Sequence, residues 1–251
     1  MKLEVVTHCW KYSRLLSYQL ASFWRHRPKD NEVKATVFYC NEDGDTAKLL
    51  SMVSGPKWDR TTYRVNPIAL SRGELCNRAI GRNLAALQSV ADWMWFADAD
   101  YCVTGGFFDQ CCETLSWLDG PLYFPQEIRC TLKCHGAELV DRDTMPGSWQ
   151  RCLSDSDCAR LICQRFKVAI GGVQFARGEV LRKSVGDGGP LGYLNRNAGW
   201  RVPFTSGNWH PDVEDKRFRR SLPSSAVAID LPGLVRIRHA ERGGPGKVVS
   251  L

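Results

Sequence analysis

No stretch of this chain approaches 18 consecutive apolar residues, which excludes a hydrophobic transmembrane helix. The opening Met1-Lys2-Leu3-Glu4-Val5-Val6-Thr7-His8 lacks the apolar core and small-residue cleavage site of a secretory signal. It reads as a first strand, and a cytoplasmic protein is expected. No internal repeat, linker or low-complexity segment divides the 251 residues, so they are read as a single domain. Paired cysteines are not expected either. The chain has eleven cysteines, an odd number, and without an export signal most should be reduced thiols.

Cys9, Cys40, Cys76 and Cys102 stand singly in strand or helix contexts and read as core fillers. Cys130, Cys134, His135, Cys152, Cys158 and Cys163 are clustered. The Cys130-x3-Cys134 spacing falls within the range of structural zinc sites, whereas Cys152-x5-Cys158 is wider than usual. Reduced, unliganded cysteines are the expected state there, with a structural zinc as the alternative.

What the chain does have is a sizeable apolar fraction, 43%, and a net charge of +7. The first permits a substantial core. The second favours anionic ligands such as a nucleotide, a nucleic acid or an acidic glycan. Lys216, Arg217, Arg219 and Arg220 lie close together. They read either as a basic patch or as a solvated helix face.

Leu3 to Val6 has the composition of a strand. Tyr12, Leu15, Leu16, Leu20 and Phe23 follow helical spacing up to Pro28. Ala35–Tyr39 predicts a second strand, Thr46–Val53 a helix, Tyr63–Val65 a third strand and Glu74–Val90 one long helix. Trp93–Ala97 predicts the next strand. Beyond it come a helix over Phe107–Leu118 and strands at Leu122–Phe124, Val168–Ile170, Val227–Asp230 and Val235–Arg238. Residues 128–165 show no regular pattern. Residues 186–213 are rich in Gly, Pro and Asn and predict a long functional loop. Strands alternating with helices predict an α/β fold with a mainly parallel central sheet.

The segment Trp93-Met94-Trp95-Phe96-Ala97-Asp98-Ala99-Asp100 is the most informative. Its unbroken apolar run suits a strand buried on both faces. Ligands in such sheets bind beyond the carboxyl ends of the strands. Asp98 and Asp100 are therefore either a polar turn or the oxygen ligands of Mg²⁺ or Mn²⁺ beside a phosphate-bearing ligand.

Four further blocks accompany it: Asn77-Arg78-Ala79, Gly171-Gly172-Val173, Trp209-His210-Pro211-Asp212-Val213-Glu214-Asp215, and Ile237-Arg238-His239. In this order they resemble the inverting glycosyltransferases of the GT-A fold, family 2-like. The likeness is to the β-1,4-galactosyltransferases and the catalytic domains of the polypeptide N-acetylgalactosaminyltransferases. It covers roughly residues 3 to 240.

The resemblance implies a GT-A fold in which 1–104 bind a nucleotide-sugar, UDP-linked by expectation. Residues 105–251 would then hold the acceptor and the catalytic base. It implies that Asp98 and Asp100 bind Mn²⁺ (or Mg²⁺), with Asp98 contacting the ribose or the metal, and that His239 completes the ligand set. Asn77 and Arg78 would contact the nucleotide, Thr7 and His8 would flank its base, and Asn41 and Glu42 would hold uracil and ribose. Gly171 and Gly172, with Trp209, would line the sugar and acceptor. Asp215 would be the general base and Glu214 would orient the acceptor, two tasks that transfer with inversion requires.

Two departures stand out. The galactosyltransferases carry further acidic residues after Glu-Asp where this chain has Lys216 and Arg217, and an aromatic where it has Pro211. Both lie where the acceptor should bind. A glycan, a lipid, a small molecule and a modified base of DNA all remain open as acceptor, and the basic residues suit an acidic one. The cytoplasmic expectation points to a bacterial or phage-type enzyme. A sugar nucleotidyltransferase would also use paired aspartates, but its glycine-rich, basic N-terminal phosphate loop is absent. A non-catalytic binding module is the third class considered.

Overall fold

A computed structural model describes residues 1–55, 60–141, 152–186, 218–219, 222 and 224–239. Its first half alternates strand and helix: β1 (Lys2–His8), α1 (Ser13–Arg25), β2 (Glu32–Tyr39), α2 (Gly44–Val53), β3 (Tyr63–Ala69), α3 (Arg72–Cys76), α4 (Arg78–Gln88) and β4 (Trp93–Asp98). There follow β5 (Tyr101–Val103), α5 (Phe107–Ser116), β6 (Leu122–Pro125), β7 (Glu127–Cys130), α6 (Lys133–Asp141), α7 (Asp155–Ala159), β8 (Ile162–Arg165), β9 (Val173–Arg177), α8 (Gly178–Gly186), β10 (Val227–Ile229) and β11 (Leu234–Arg236).

Seven strands form the main sheet in the order β10-β6-β9-β4-β1-β2-β3. Only β9 runs antiparallel to its neighbours, so the sheet is mainly parallel. Residues alternate across it. Leu3, Val5, Trp93 and Trp95 face one apolar core with Leu16, Leu20 and Phe23 of α1, while Val6, Met94 and Phe96 face a second with Ala79, Ala85 and Ala86 of α4. Strand β4 is thus buried on both faces, as its unbroken apolar run predicts. Trp95 anchors it, with ring centroids 5.4 Å from Phe175, 5.5 Å from Phe107 and 5.7 Å from Phe23.

From β1 the chain winds outward through β2 and β3, then crosses back to place β4 on the other side of β1. The winding thus reverses between β1 and β4, and sheets of this kind hold ligands beyond the carboxyl ends of the strands at such a point. A smaller four-stranded sheet, β5-β11-β7-β8, lies beside it and was not legible in the sequence. Among the described residues no helix is long and apolar enough to cross a membrane.

Three expectations are corrected. Residues 74–90 are not one helix. Asn77 leaves the helical region at φ −88°, ψ 86°, ending α3 and starting α4. The predicted strand Val168–Ile170 is displaced: Gly171-Gly172 form a turn closed by the Val173 N–H on the Ile170 carbonyl at 3.1 Å, and the strand is Val173–Arg177. The irregular 128–165 region contains β7, α6, α7 and β8 among its described residues. Residues 187–213, most of the expected long loop, lie outside the described residues.

Candidate functional site

Asp98 is the last residue of β4, and its register partner on β1 is His8, so both stand at the carboxyl end of the sheet where its winding reverses. The Asp98 peptide is fixed on both sides. Its N–H donates to the Gly172 carbonyl at 3.1 Å. Its carbonyl accepts from Gln19 Nε2 at 2.8 Å, and Gln19 Oε1 accepts from the Thr7 hydroxyl at 3.0 Å. Thr7 and Gln19 are both buried, so Thr7 acts on Asp98 through Gln19. The half-exposed Asp98 carboxylate accepts from Arg78 Nη1 at 2.7 Å. Its other oxygen lies over bare backbone: a Cβ on Gly172 would stand 2.2 Å from Asp98 Oδ2.

The break at Asn77 is what aims Arg78. With α4 starting afresh there, Arg78 occupies its first turn and Arg82 the next, on the same face. Arg82 is buried and donates to the Gly171 carbonyl at 2.8 Å. The His8 ring lies beneath, stacked on Phe38 at 5.0 Å, with Nε2 buried and without a hydrogen-bond partner. Burial first, then the positive charges of Arg82 and Arg78, hold the His8 imidazole well below its ordinary range and therefore neutral. Asn77 Oδ1 is likewise buried without a partner. Asn41 and Glu42 are exposed in the turn after β2. The Arg72 guanidinium stands 5.2 Å over the Trp10 ring, with Lys11 at 5.5 Å. Arg78, Arg72 and Lys11 lie along the chain segments that follow β1 and β3, among the carboxylates of Asp43, Glu74 and Asp98.

Asp100 is buried in the turn into β5. Its Oδ2 accepts from Arg236 Nε at 2.8 Å, its carbonyl accepts from the Ile237 N–H at 2.8 Å, and its Oδ1 has no hydrogen-bond partner. Burial raises the carboxyl's pKa. Arg236 opposes that rise, the Asp98 charge adds to it, and His239 is near enough to oppose it too. The His239 ring lies 5.4 Å from that of Tyr12. Among the described residues no three His, Cys, Asp or Glu side chains gather as a metal cluster, so Asp98, Asp100 and His239 do not converge as one. The donor chemistry nevertheless fits a divalent cation. Two carboxylates stand one residue apart, and a buried Asp100 oxygen is left without a partner.

Trp209, Glu214 and Asp215 lie outside the described residues, as do Lys216, Arg217 and Arg220 of the basic run. All eleven cysteines are free thiols, and the 130–163 group does not gather around a metal among the described residues. Cys130 is buried and Cys134 and Cys163 are exposed. The buried His135 instead pairs with Asp157 at 3.0 Å, linking α6 to α7. Sequence reasoning missed Gln19, Arg82 and Arg236. Arg82 carried a signal, its four-residue spacing from Arg78. Gln19 and Arg236 depend on tertiary contacts and carried none.

No family model matches the chain, and no curated protein sequence matches it. Solved structures do. The structure of residues 1–349 of TarS from S. aureus in complex with UDP-GlcNAc superposes with a TM-score of 0.59 at 11% identity, covering 100% of this chain and 62% of that one. The complex of the same protein with UDP gives 0.57 at 11% identity, covering 96% and 61%. A further structure of TarS 1–349 gives 0.56 at 12%, covering 94% and 60%. The chain thus spans about three fifths of the length of these neighbours. The likeness shows the fold: a single α/β domain with a large central sheet flanked by helices, as the motif blocks predict.

Proposed function

We propose that this protein is a nucleotide-sugar glycosyltransferase with a UDP-sugar donor. One observation carries the reading. At the carboxyl ends of β1 and β4, where the winding of the sheet reverses, Asp98 is in register with His8 and its carboxylate takes the Arg78 guanidinium, at the place where such a fold holds a nucleotide. The neighbours of the same fold bound to UDP-GlcNAc and UDP support it.

In this reading Arg78 neutralises diphosphate charge. Gly172, without a Cβ, lets the Asp98 carboxylate lie against its backbone on the side where the donor sugar would approach. Asp98 and Asp100 would hold Mn²⁺ or Mg²⁺, with His239 moving in to complete the ligand set, and the ion would supply stabilisation of charge on the departing diphosphate. Asp215 takes the acceptor proton and Glu214 orients the acceptor, giving transfer with inversion. Lys216 and Arg217 beside that pair favour an acceptor of acidic character, such as a phosphorylated glycan or a modified base of DNA.

A panel of nucleotide-sugars incubated with the protein and Mn²⁺ tests this. One UDP-sugar should be consumed with release of UDP, and Asp215→Asn should cut turnover by about 10²- to 10⁴-fold, the usual contribution of a general base. If no donor is bound or consumed and Asp100→Ala changes nothing, the proposal fails. Release of pyrophosphate in place of UDP would assign nucleotidyl transfer instead.

A further inference from the structure

The contact between Arg236 and Asp100 is lopsided. Arg–carboxylate pairs built for stability are commonly bidentate, with two parallel N–H bonds to the two oxygens. Here Nε alone donates, to Oδ2 at 2.8 Å, while Oδ1 stays buried and unpartnered. The Asp98 charge sits one residue away, so a cation near Asp100 is electrostatically favoured. Arg236 is placed to be that cation. Its backbone is fixed in β11, in register with Tyr101 of β5, and its carbonyl accepts from the Thr131 N–H at 3.0 Å. Its side chain is 30% exposed, with the guanidinium 5.4 Å over the Tyr101 ring. The main chain is therefore anchored while the side chain remains partly exposed.

We infer that Arg236 is a tethered counter-ion. It holds Asp100 oriented when no divalent cation is present, and it competes with that cation for the same carboxylate. This rests on the glycosyltransferase reading, in which Asp100 is a cation ligand. Arg236 is then a positioning residue, and it sets how tightly the cation binds before any nucleotide arrives. A residue that merely supported a ligand from behind would strengthen cation binding, so the two roles predict opposite signs.

The test is Mn²⁺ affinity of the sugar-free protein at fixed pH, by calorimetry or by the paramagnetic signal of free Mn²⁺. Arg236→Met should bind Mn²⁺ about tenfold more tightly than the parent, and Arg236→Lys, which keeps the charge, should stay near the parent value. Thermal denaturation gives an independent readout. Without metal Arg236→Met should melt lower than the parent, and saturating Mn²⁺ should raise its Tm by more than it raises the parent's. Unchanged or weaker Mn²⁺ binding in Arg236→Met, with binding still abolished by Asp100→Asn, overturns the counter-ion role and leaves the glycosyltransferase reading standing. If neither parent nor variant binds Mn²⁺ or any UDP-sugar, both fall together.

Discussion

Gly172 is the residue whose smallest change should matter most. A Cβ there would come 2.2 Å from Asp98 Oδ2 and 2.7 Å from its Cγ, and the Asp98 peptide cannot retreat because Gln19 and the Gly172 carbonyl hold it on both sides. The side chain must therefore rotate away, leaving Arg78 without its 2.7 Å partner. Hydrogen bonds to charged groups contribute about 1.5–3 kcal/mol. Gly172→Ala should accordingly weaken UDP binding by roughly 10- to 100-fold with a shift of only a few degrees in Tm, which calorimetry and thermal denaturation read separately. A fall in Tm with unchanged UDP affinity would show that the contact is packing alone.

At the scale of elements, the site exists because α4 sits unusually close to the sheet. Gly81 is what permits it: a Cβ there would meet His8 Nε2 at 2.2 Å and the Phe38 ring at 2.9 Å. Two effects oppose each other in Gly81→Ala. Alanine is the better helix former by about 1 kcal/mol. Overpacking a close-packed interface costs about 1–3 kcal/mol, and here the neighbours are the buried Phe38 ring of β2 and the buried Nε2 of His8 in β1. The clash wins, so the variant should lose stability in chemical denaturation, and it should also lose nucleotide affinity because α4 carries Arg78 and Arg82. Equal or higher stability would mean that α4 is not pinned at this approach.

The break between α3 and α4 makes the same point about legibility. The apolar spacing through Leu75, Ala79, Leu84 and Leu87 is continuous, so a pattern of that kind predicts one helix. Asn77 interrupts it with a single non-helical residue that costs little to the periodicity and redirects Arg78 onto Asp98. Likewise Gly171-Gly172 form a turn, and whether the strand comes before or after it depends on which flank can pair antiparallel with β4.

For the whole molecule, the buried neutral His8 ties stability to pH. Its pKa is depressed in the fold and ordinary in the unfolded chain, so the unfolded state takes up a proton first as pH falls below about 6.5. Stability contributed by the neutral imidazole is thus complete above that value and declines below it. His26 is shifted the same way by burial and Arg25, so it adds to the decline. His8→Gln removes only the first contribution. The Tm lost between pH 7.5 and pH 5.5 should be smaller in His8→Gln than in the parent. An unchanged loss would place the acid sensitivity elsewhere.

The amino-acid sequence by itself determined the α/β class, the doubly buried β4 and the two aspartates at its end. Those depend on local periodicity and on the rule that parallel strands deliver ligands to their carboxyl ends, and both are written along the chain. Only the tertiary structure decided that Gln19 clamps Asp98, that Arg82 reaches Gly171 and that Arg236 faces Asp100, across separations of 79, 89 and 136 residues. No spacing rule connects residues so far apart. Their meeting follows from the order in which the strands are laid into the two sheets, and that order is fixed by how the apolar faces pack, not by any one segment.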